Sequence, residues 1–130
     1  MPPAWGYYDC YCYLPLYIFC GRHLLAARLR SSSVDAADGS VEEVARIVAQ
    51  IRERWPRTSI VIRADSGFCR DDLMTWCEAN TVKYVLGLAG NSRLTAKLAP
   101  DIAKARAKAK RTGQPARVFA DFEYRTRRSW

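Results

Sequence analysis

The stretch Ser59-Ile60-Val61-Ile62-Arg63-Ala64-Asp65-Ser66-Gly67-Phe68 places the tightest limits on what this chain can fold into. Ile60, Val61 and Ile62 form a short β-branched run, the pattern of a strand buried on both faces. Ser66-Gly67 then breaks the extended chain before a helical pattern begins. A carboxylate, Asp65, is therefore expected at the carboxyl end of a central strand, where ligands collect in open α/β sheets. Such a carboxylate has two common uses. It can ligate a hard divalent metal through oxygen, or cap the turn that follows. Position alone leaves both open.

The flanking segments read as alternating elements. Tyr7 to Cys20 are dense in aromatic and branched side chains and predict a strand, with Pro15 forcing an irregularity or an edge position. Gly21-Arg22-His23 supplies a connection, and Leu24 to Arg30 read as the returning arm of an antiparallel hairpin, with helix as the competing reading. Residues 31–39 are loop by composition. Ser40 and Glu43 have capping-box spacing, and Val44, Ile47, Val48, Ile51 and Trp55 fall on one helical stripe that Pro56 ends. Arg70-Asp71-Asp72 leads a second helix, with Leu73, Trp76 and Cys77 inward and Asn80 as its stop. Asp71 and Asp72 there suit the positive end of the helix dipole. Lys83 to Ala89 predict the next strand.

Ser92 to Arg111 are Ala-rich and basic, and Pro100 is expected to split them into two helical pieces. Leu94, Leu98 and Ile102 make a narrow apolar stripe. Val118, Ala120, Phe122 and Tyr124 alternate with charged residues, the period of a half-exposed strand. The tail Arg125 to Trp130 has no stop signal and reads as cut rather than finished. The αβ alternation predicts a layered sheet with helices.

A length of 130 residues suits one domain with a single core. Lys and Arg number 21 against 13 Asp and Glu, a net charge of +8 that favours a polyanionic partner such as nucleic acid. The five cysteines show no C-x-x-C spacing, and His23 has no second imidazole, which argues against a zinc site. Most of the thiols are expected to be small buried groups in a reducing cytosol. No signal peptide is visible, and the apolar run Leu14 to Cys20 is too short to span a bilayer.

There is no nucleophile elbow, P-loop or dinucleotide fingerprint. Carboxylates and basic charge remain, a combination that fits metal-dependent phosphoryl transfer on nucleic acid. In that chemistry two divalent ions roughly 4 Å apart, held by Asp or Glu oxygens, clamp the attacking and leaving oxygens. Asp65 is well placed for this. Asp9 and Glu123 are further acids, each read first as a surface carboxylate. Lys97, Lys104, Arg106, Lys108, Lys110 and Arg111 are candidates for holding DNA phosphates, the alternative being an amphipathic helix with solvated lysines.

Three motifs in register carry a resemblance. They are Tyr7-Tyr8-Asp9-Cys10-Tyr11-Cys12-Tyr13-Leu14-Pro15-Leu16-Tyr17, Arg63-Ala64-Asp65-Ser66-Gly67-Phe68 and Tyr84-Val85-Leu86-Gly87-Leu88-Ala89-Gly90-Asn91. In this order they resemble DDE-type transposases of bacterial insertion sequences, DDE domain group 1, of the insertion-sequence thirteen-eighty type. The likeness covers residues 6–130, with residues 1–5 not matching the pattern. It implies a ribonuclease H-like fold, a mixed sheet flanked by helices, here incomplete. It also implies three acids holding two Mg²⁺ ions and DNA strand cleavage and transfer at insertion-sequence ends. A dimer of the complete parent and a bacterial cytoplasmic, nucleoid-associated location follow from the same likeness, with no membrane partner.

Asp65 matches the second acid of the family, as catalytic residue and metal ligand. The first acid belongs to a segment preceding the Tyr-rich strand, and the third, a Glu, lies beyond Trp130. The expectation is an internal fragment of a transposase catalytic domain, inactive as this chain alone. Two other readings stand beside it. One is a non-catalytic basic DNA-binding remnant, and the other a small nuclease using Asp9, Asp65 and Glu123.

Overall fold

The computed structural model of the chain describes residues 4–5 and 10–125, with side chains from residue 12 onward. These residues fall into two compact units, Met1–Leu88 and Ala89–Trp130. The architecture is α/β, with antiparallel and parallel strand pairs flanked by helices, in keeping with the ribonuclease H-like expectation.

In the first unit, β1 (Ala4–Trp5) pairs antiparallel with β2 (Cys10–Tyr11). The long aromatic strand expected over Tyr7 to Cys20 is thus two pieces, since β3 begins only at Leu16 and runs Leu16–Cys20. Pro15, which cannot donate to a ladder, stands just before it. Residues 6–9, Asp9 among them, lie outside the described residues. β3 pairs antiparallel with β4 (His23–Arg28) through a turn in which Gly21 has φ 57°. The hairpin reading therefore prevails over the helix that Leu and Ala would prefer, because cross-strand pairing outweighs a propensity of a few tenths of a kcal/mol per residue.

Helix α1 (Ser40–Arg54) keeps the expected stripe, with Val44, Ile47 and Val48 buried. Its start differs from the capping box. Gly39, in the left-handed region at φ 73°, occupies the N-cap position, which shifts Ser40 into the first turn. The Ser40 hydroxyl is buried with no hydrogen-bond partner among the described residues, and Glu43 pairs with Arg46 at 2.8 Å. Trp55, placed on the stripe by periodicity, is the C-cap residue and 62% exposed.

Strand β5 (Val61–Ala64) pairs in parallel with β6 (Lys83–Leu86), and α2 (Asp71–Ala79) connects them. The expected burial of the Ile60–Ile62 run on both faces does not hold. Ile62 and Ala64 are half-buried, whereas Val61 is 57% exposed and Arg63 is exposed. Only one face of the pair meets the helices. The core is Val44, Val48, Leu73, Cys77 and Val82, with Ile18, Ile60, Ile62, Phe68, Trp76 and Tyr84 packed against it. Of Cys12, Cys20, Cys69 and Cys77, only Cys77 is buried, contrary to the expectation for most thiols, and burial pushes its thiol up.

Tyr84 closes this core with a polar tip. Its Oη donates to Glu78 Oε1 at 2.7 Å, and this bond, aided by burial, pushes the phenol up to about 12. The bond needs the protonated phenol, so its contribution is full below the ordinary value of 10.0 and is lost as pH rises through about 12. Tyr84→Phe is expected to lower stability by about 1 kcal/mol at neutral pH. It should also remove one late-titrating phenol from a spectrophotometric titration.

In the second unit, α3 runs unbroken over Ser92–Thr112 with Pro100 inside it. Pro100 was expected to split this segment. It removes one donor, the one that would serve the Ala96 carbonyl, and the helix bridges that single gap. Asn91 Oδ1 accepts from the Leu94 amide at 3.0 Å as N-cap, and Gly113 at φ 65° ends the helix. Residues 117–125, read as a strand, form none. They are held to α3 by side chains instead: Asn91 Nδ2 donates to Tyr124 Oη at 3.0 Å, and Lys97 donates to the Glu123 carbonyl.

Candidate functional site

Asp65 stands directly after β5, at the carboxyl end of the parallel pair, where the sequence places it. The chain turns there into a 3₁₀ segment, Ser66–Phe68, and Asp65 is its N-cap. Its Oδ1 accepts from the Gly67 amide at 2.8 Å. The capping use is therefore realised, and it occupies one oxygen. No hydrogen bond or ion pair engages Oδ2 among the described residues, and the side chain is exposed.

Two glycines fix this carboxylate. A Cβ on Gly67 would meet Asp65 Oδ1 at 3.0 Å and Ala36 Cβ at 3.2 Å. A Cβ on Gly87 would meet the Ser66 amide nitrogen at 2.8 Å and the Asp65 carbonyl carbon at 3.1 Å. Gly87, just past β6, also donates its amide to the Ala64 carbonyl at 2.9 Å. The strand pair thus closes on the Asp65 backbone with no room for a side chain. The role of Gly87 was not evident from the sequence, where it reads only as a strand residue before a turn.

A two-ion site needs several converging carboxylates. Among the described residues no group of three or more His, Cys, Asp or Glu could hold a metal ion. Asp9 lies outside the described residues, and Glu123 is an exposed residue of the second unit. The described residues alone therefore do not fit a metal pair.

A different acidic cluster went unseen in the sequence. Asp35, Asp38, Glu42 and Asp72 line a shallow cavity of about 310 Å³ together with Arg70. Arg70 pairs with Asp35 at 2.9 Å, and this hydrogen bond holds the Asp35 carboxyl below the usual carboxylate range. The partners are 35 residues apart, so no local spacing signals them. Four carboxylates repel phosphate, which sets this surface apart from any nucleic-acid interface.

The basic residues lie on α3. At 3.6 residues per turn, Lys97, Lys104, Lys108 and Arg111 share about 60° of arc, whereas Arg106 and Lys110 point to the opposite side. Two of the four already have partners: Lys104 pairs with Asp101 at 2.8 Å, and Lys97 lies 5.2 Å over the Phe122 ring. Arg93, on the same arc, sits 5.4 Å over Tyr124. The six sequence candidates are therefore not one surface, and four of them form a stripe about 20 Å long. No helix among the described residues is long and apolar enough to cross a membrane.

A family model, transposase DDE domain group 1, matches residues 3–130. No curated protein and no solved structure matches the chain.

Proposed function

The chain belongs to the transposase DDE domain group 1 family, and we propose that it is part of the catalytic apparatus that cuts and joins the DNA of an insertion sequence. The observation that carries this reading is Asp65, seated at the carboxyl end of the β5–β6 pair inside the motif that resembles the family's second acid. In this reading Asp65 is one ligand of a set of carboxylates that holds Mg²⁺. When bound, the ions supply Lewis-acid stabilisation of the oxygens at the reacting phosphate. The chain's own part is to hold Oδ1 against the Gly67 amide, leave Oδ2 open and keep the turn fixed through Gly87. Recognition of the element's ends, a dimer and a nucleoid location belong to the same proposal.

The test is nicking of supercoiled plasmid in Mg²⁺ by a complete transposase of the family in which this chain replaces the matching segment. Cleavage is expected to fall at least about 100-fold in Asp65→Asn, beyond the 10–100-fold that outer-shell partners of a metal cost. Nicking unchanged in that variant sinks the assignment of Asp65.

A second reading is favoured by one observation: the described residues form no cluster of three or more His, Cys, Asp or Glu that could hold a metal at Asp65. In it, the chain binds DNA through the α3 stripe without cutting it. If Lys97, Lys104, Lys108 and Arg111 neutralise about four phosphates, the log–log salt slope of binding is about −3.6. Replacing Lys104, Lys108 and Arg111 with Ala is expected to flatten it by about 2.7, whereas Arg106→Ala with Lys110→Ala leaves it nearly unchanged. Filter binding across a salt series reads this directly. Binding that ignores salt eliminates the stripe as a phosphate surface. Asp65→Ala should leave binding intact or slightly tighter, since it removes a negative charge.

A further inference from the structure

The turn that carries Asp65 is gripped on two sides. On one side is the exit of β6, where a Cβ on Gly87 would stand 2.8 Å from the Ser66 amide nitrogen. On the other is the loop before α1, where Ala36 Cβ would meet a Cβ on Gly67 at 3.2 Å. Gly67 is the residue whose amide holds Asp65 Oδ1, so the loop backs onto the bond that aims the carboxylate. Contact with a single methyl gains too little dispersion to hold two surface segments in register. A second link joins the same two segments. Arg70 Nη2 donates to Asp35 Oδ2 at 2.9 Å, across 35 positions of sequence.

Each end of that link is shaped by other bonds. Asp35 Oδ1 accepts from the Ala37 amide at 2.9 Å, and Arg30 Nη1 donates to the Ala36 and Asp38 carbonyls, so the loop has its form without Arg70. Arg70 is the N-cap residue of α2, and its amide donates to the Phe68 carbonyl at 2.9 Å, closing the turn behind Asp65. The ion pair therefore connects two formed pieces. Its side chains are 42% and 54% exposed, so it adds little to the folding free energy. What it supplies is a fixed separation between loop and turn, next to the carboxylate.

We propose that Asp35 and Arg70 are positioning residues: their ion pair braces the loop against the turn and so holds the open oxygen of Asp65 in place for the reaction. The inference rests on the reading of Asp65 as a carboxylate of the reacting site. It adds two residues that act through Asp65 and do not touch the reacting atoms.

Hydrogen exchange of the Gly67 amide in the whole chain reads this brace without any activity. Asp35→Asn keeps an oxygen for the Ala37 amide and removes the charge that faces Arg70, whereas Arg70→Gln removes the cation. In both, Gly67 exchange is expected to quicken about threefold, the scale that one exposed ion pair can impose on a local opening. Amides of α1 and β6 and the urea midpoint should stay as in the unsubstituted chain. One nitrogen of Arg70 engages Asp35, so Arg70→Lys can supply the same bond and should keep the exchange within about twofold. Asp38, Glu42 and Asp72 line the same cavity, and a general need for a cation there would make Arg70→Gln effective and Asp35→Asn silent. That pattern overturns the proposal. So does unchanged Gly67 exchange, or quickening spread evenly over the first unit, which marks plain destabilisation. In the complete transposase carrying this chain, both variants should nick plasmid about tenfold more slowly at saturating DNA, with the half-saturating DNA concentration unchanged. Unaltered rates in both, beside a slow Asp65→Asn, overturn the positioning role. Unaltered rates in all three sink the assignment of Asp65 instead, and the brace then stands or falls on the Gly67 exchange.

Discussion

Gly87→Ala is expected to lower the unfolding free energy of the first unit by about 1–3 kcal/mol, the range for forcing a methyl into filled space. The added Cβ would stand 2.8 Å from the Ser66 amide nitrogen and 3.3 Å from the Asp65 Cα. These are backbone atoms of a capped turn, which cannot swing aside as the end of a flexible side chain would. The turn must move away from β6, and the bond from the Gly87 amide to the Ala64 carbonyl must stretch with it. The Gly67 amide, held by Asp65 Oδ1 at 2.8 Å, is the reporter: its hydrogen exchange should quicken along with the drop in urea midpoint. Gly90→Ala is the control, because a Cβ there meets nothing within 4 Å, and its change should stay within about 0.5 kcal/mol. Equal effects from the two substitutions would contradict the packing argument. A carboxylate shifted by about 1 Å would also lose about 100-fold in any reaction it serves.

How far the sequence foretells this arrangement follows from the range of each interaction. Asp65 at the end of a strand, the α1 stripe and the hairpin after Cys20 are legible because each is written in neighbours a few residues apart. The start of α1 is misread for the same reason. Ser40 and Glu43 have the right spacing, but Gly39 is free to adopt φ 73° and takes the N-cap role, a choice that the spacing does not encode. Pro100 is read as a break because the rule concerns a missing donor and a steric clash, whereas twenty other helical residues, six of them Ala, favour continuation. The alternation after Val118 predicts a strand, yet no second strand lies beside it among the described residues, and a period of two has no meaning without a ladder. Gly87 against Asp65 and Arg70 on Asp35 are invisible beforehand, since both join residues more than 20 positions apart.

Arg30 is the strongest instance of such a hidden link, and Arg30→Met is expected to lower stability by about 2–4 kcal/mol. Arg30 is only 7% exposed, although the sequence reads it as the last residue of a hairpin arm. Its Nε donates to the Leu14 carbonyl at 2.9 Å, and its Nη1 donates to the Ala36 carbonyl at 2.9 Å and the Asp38 carbonyl at 2.6 Å. One planar guanidinium therefore ties the chain entering β3 to the loop leading into α1. Bonds from a charged donor contribute about 1.5–3 kcal/mol each, but they share one group and do not add. Met keeps the volume of the stem and leaves the three carbonyls without that donor, so the loss reports the polar link more than the packing. Arg30→Lys retains the charge yet lacks the fork that reaches both sides at once, and should recover less than half of the difference. Urea denaturation of the three proteins gives the magnitudes, and hydrogen exchange in residues 35–38 shows whether the loop is what comes loose. A change below about 0.5 kcal/mol for Met, or full recovery by Lys, would mean that the loop is held by Asp35 and Arg70 instead.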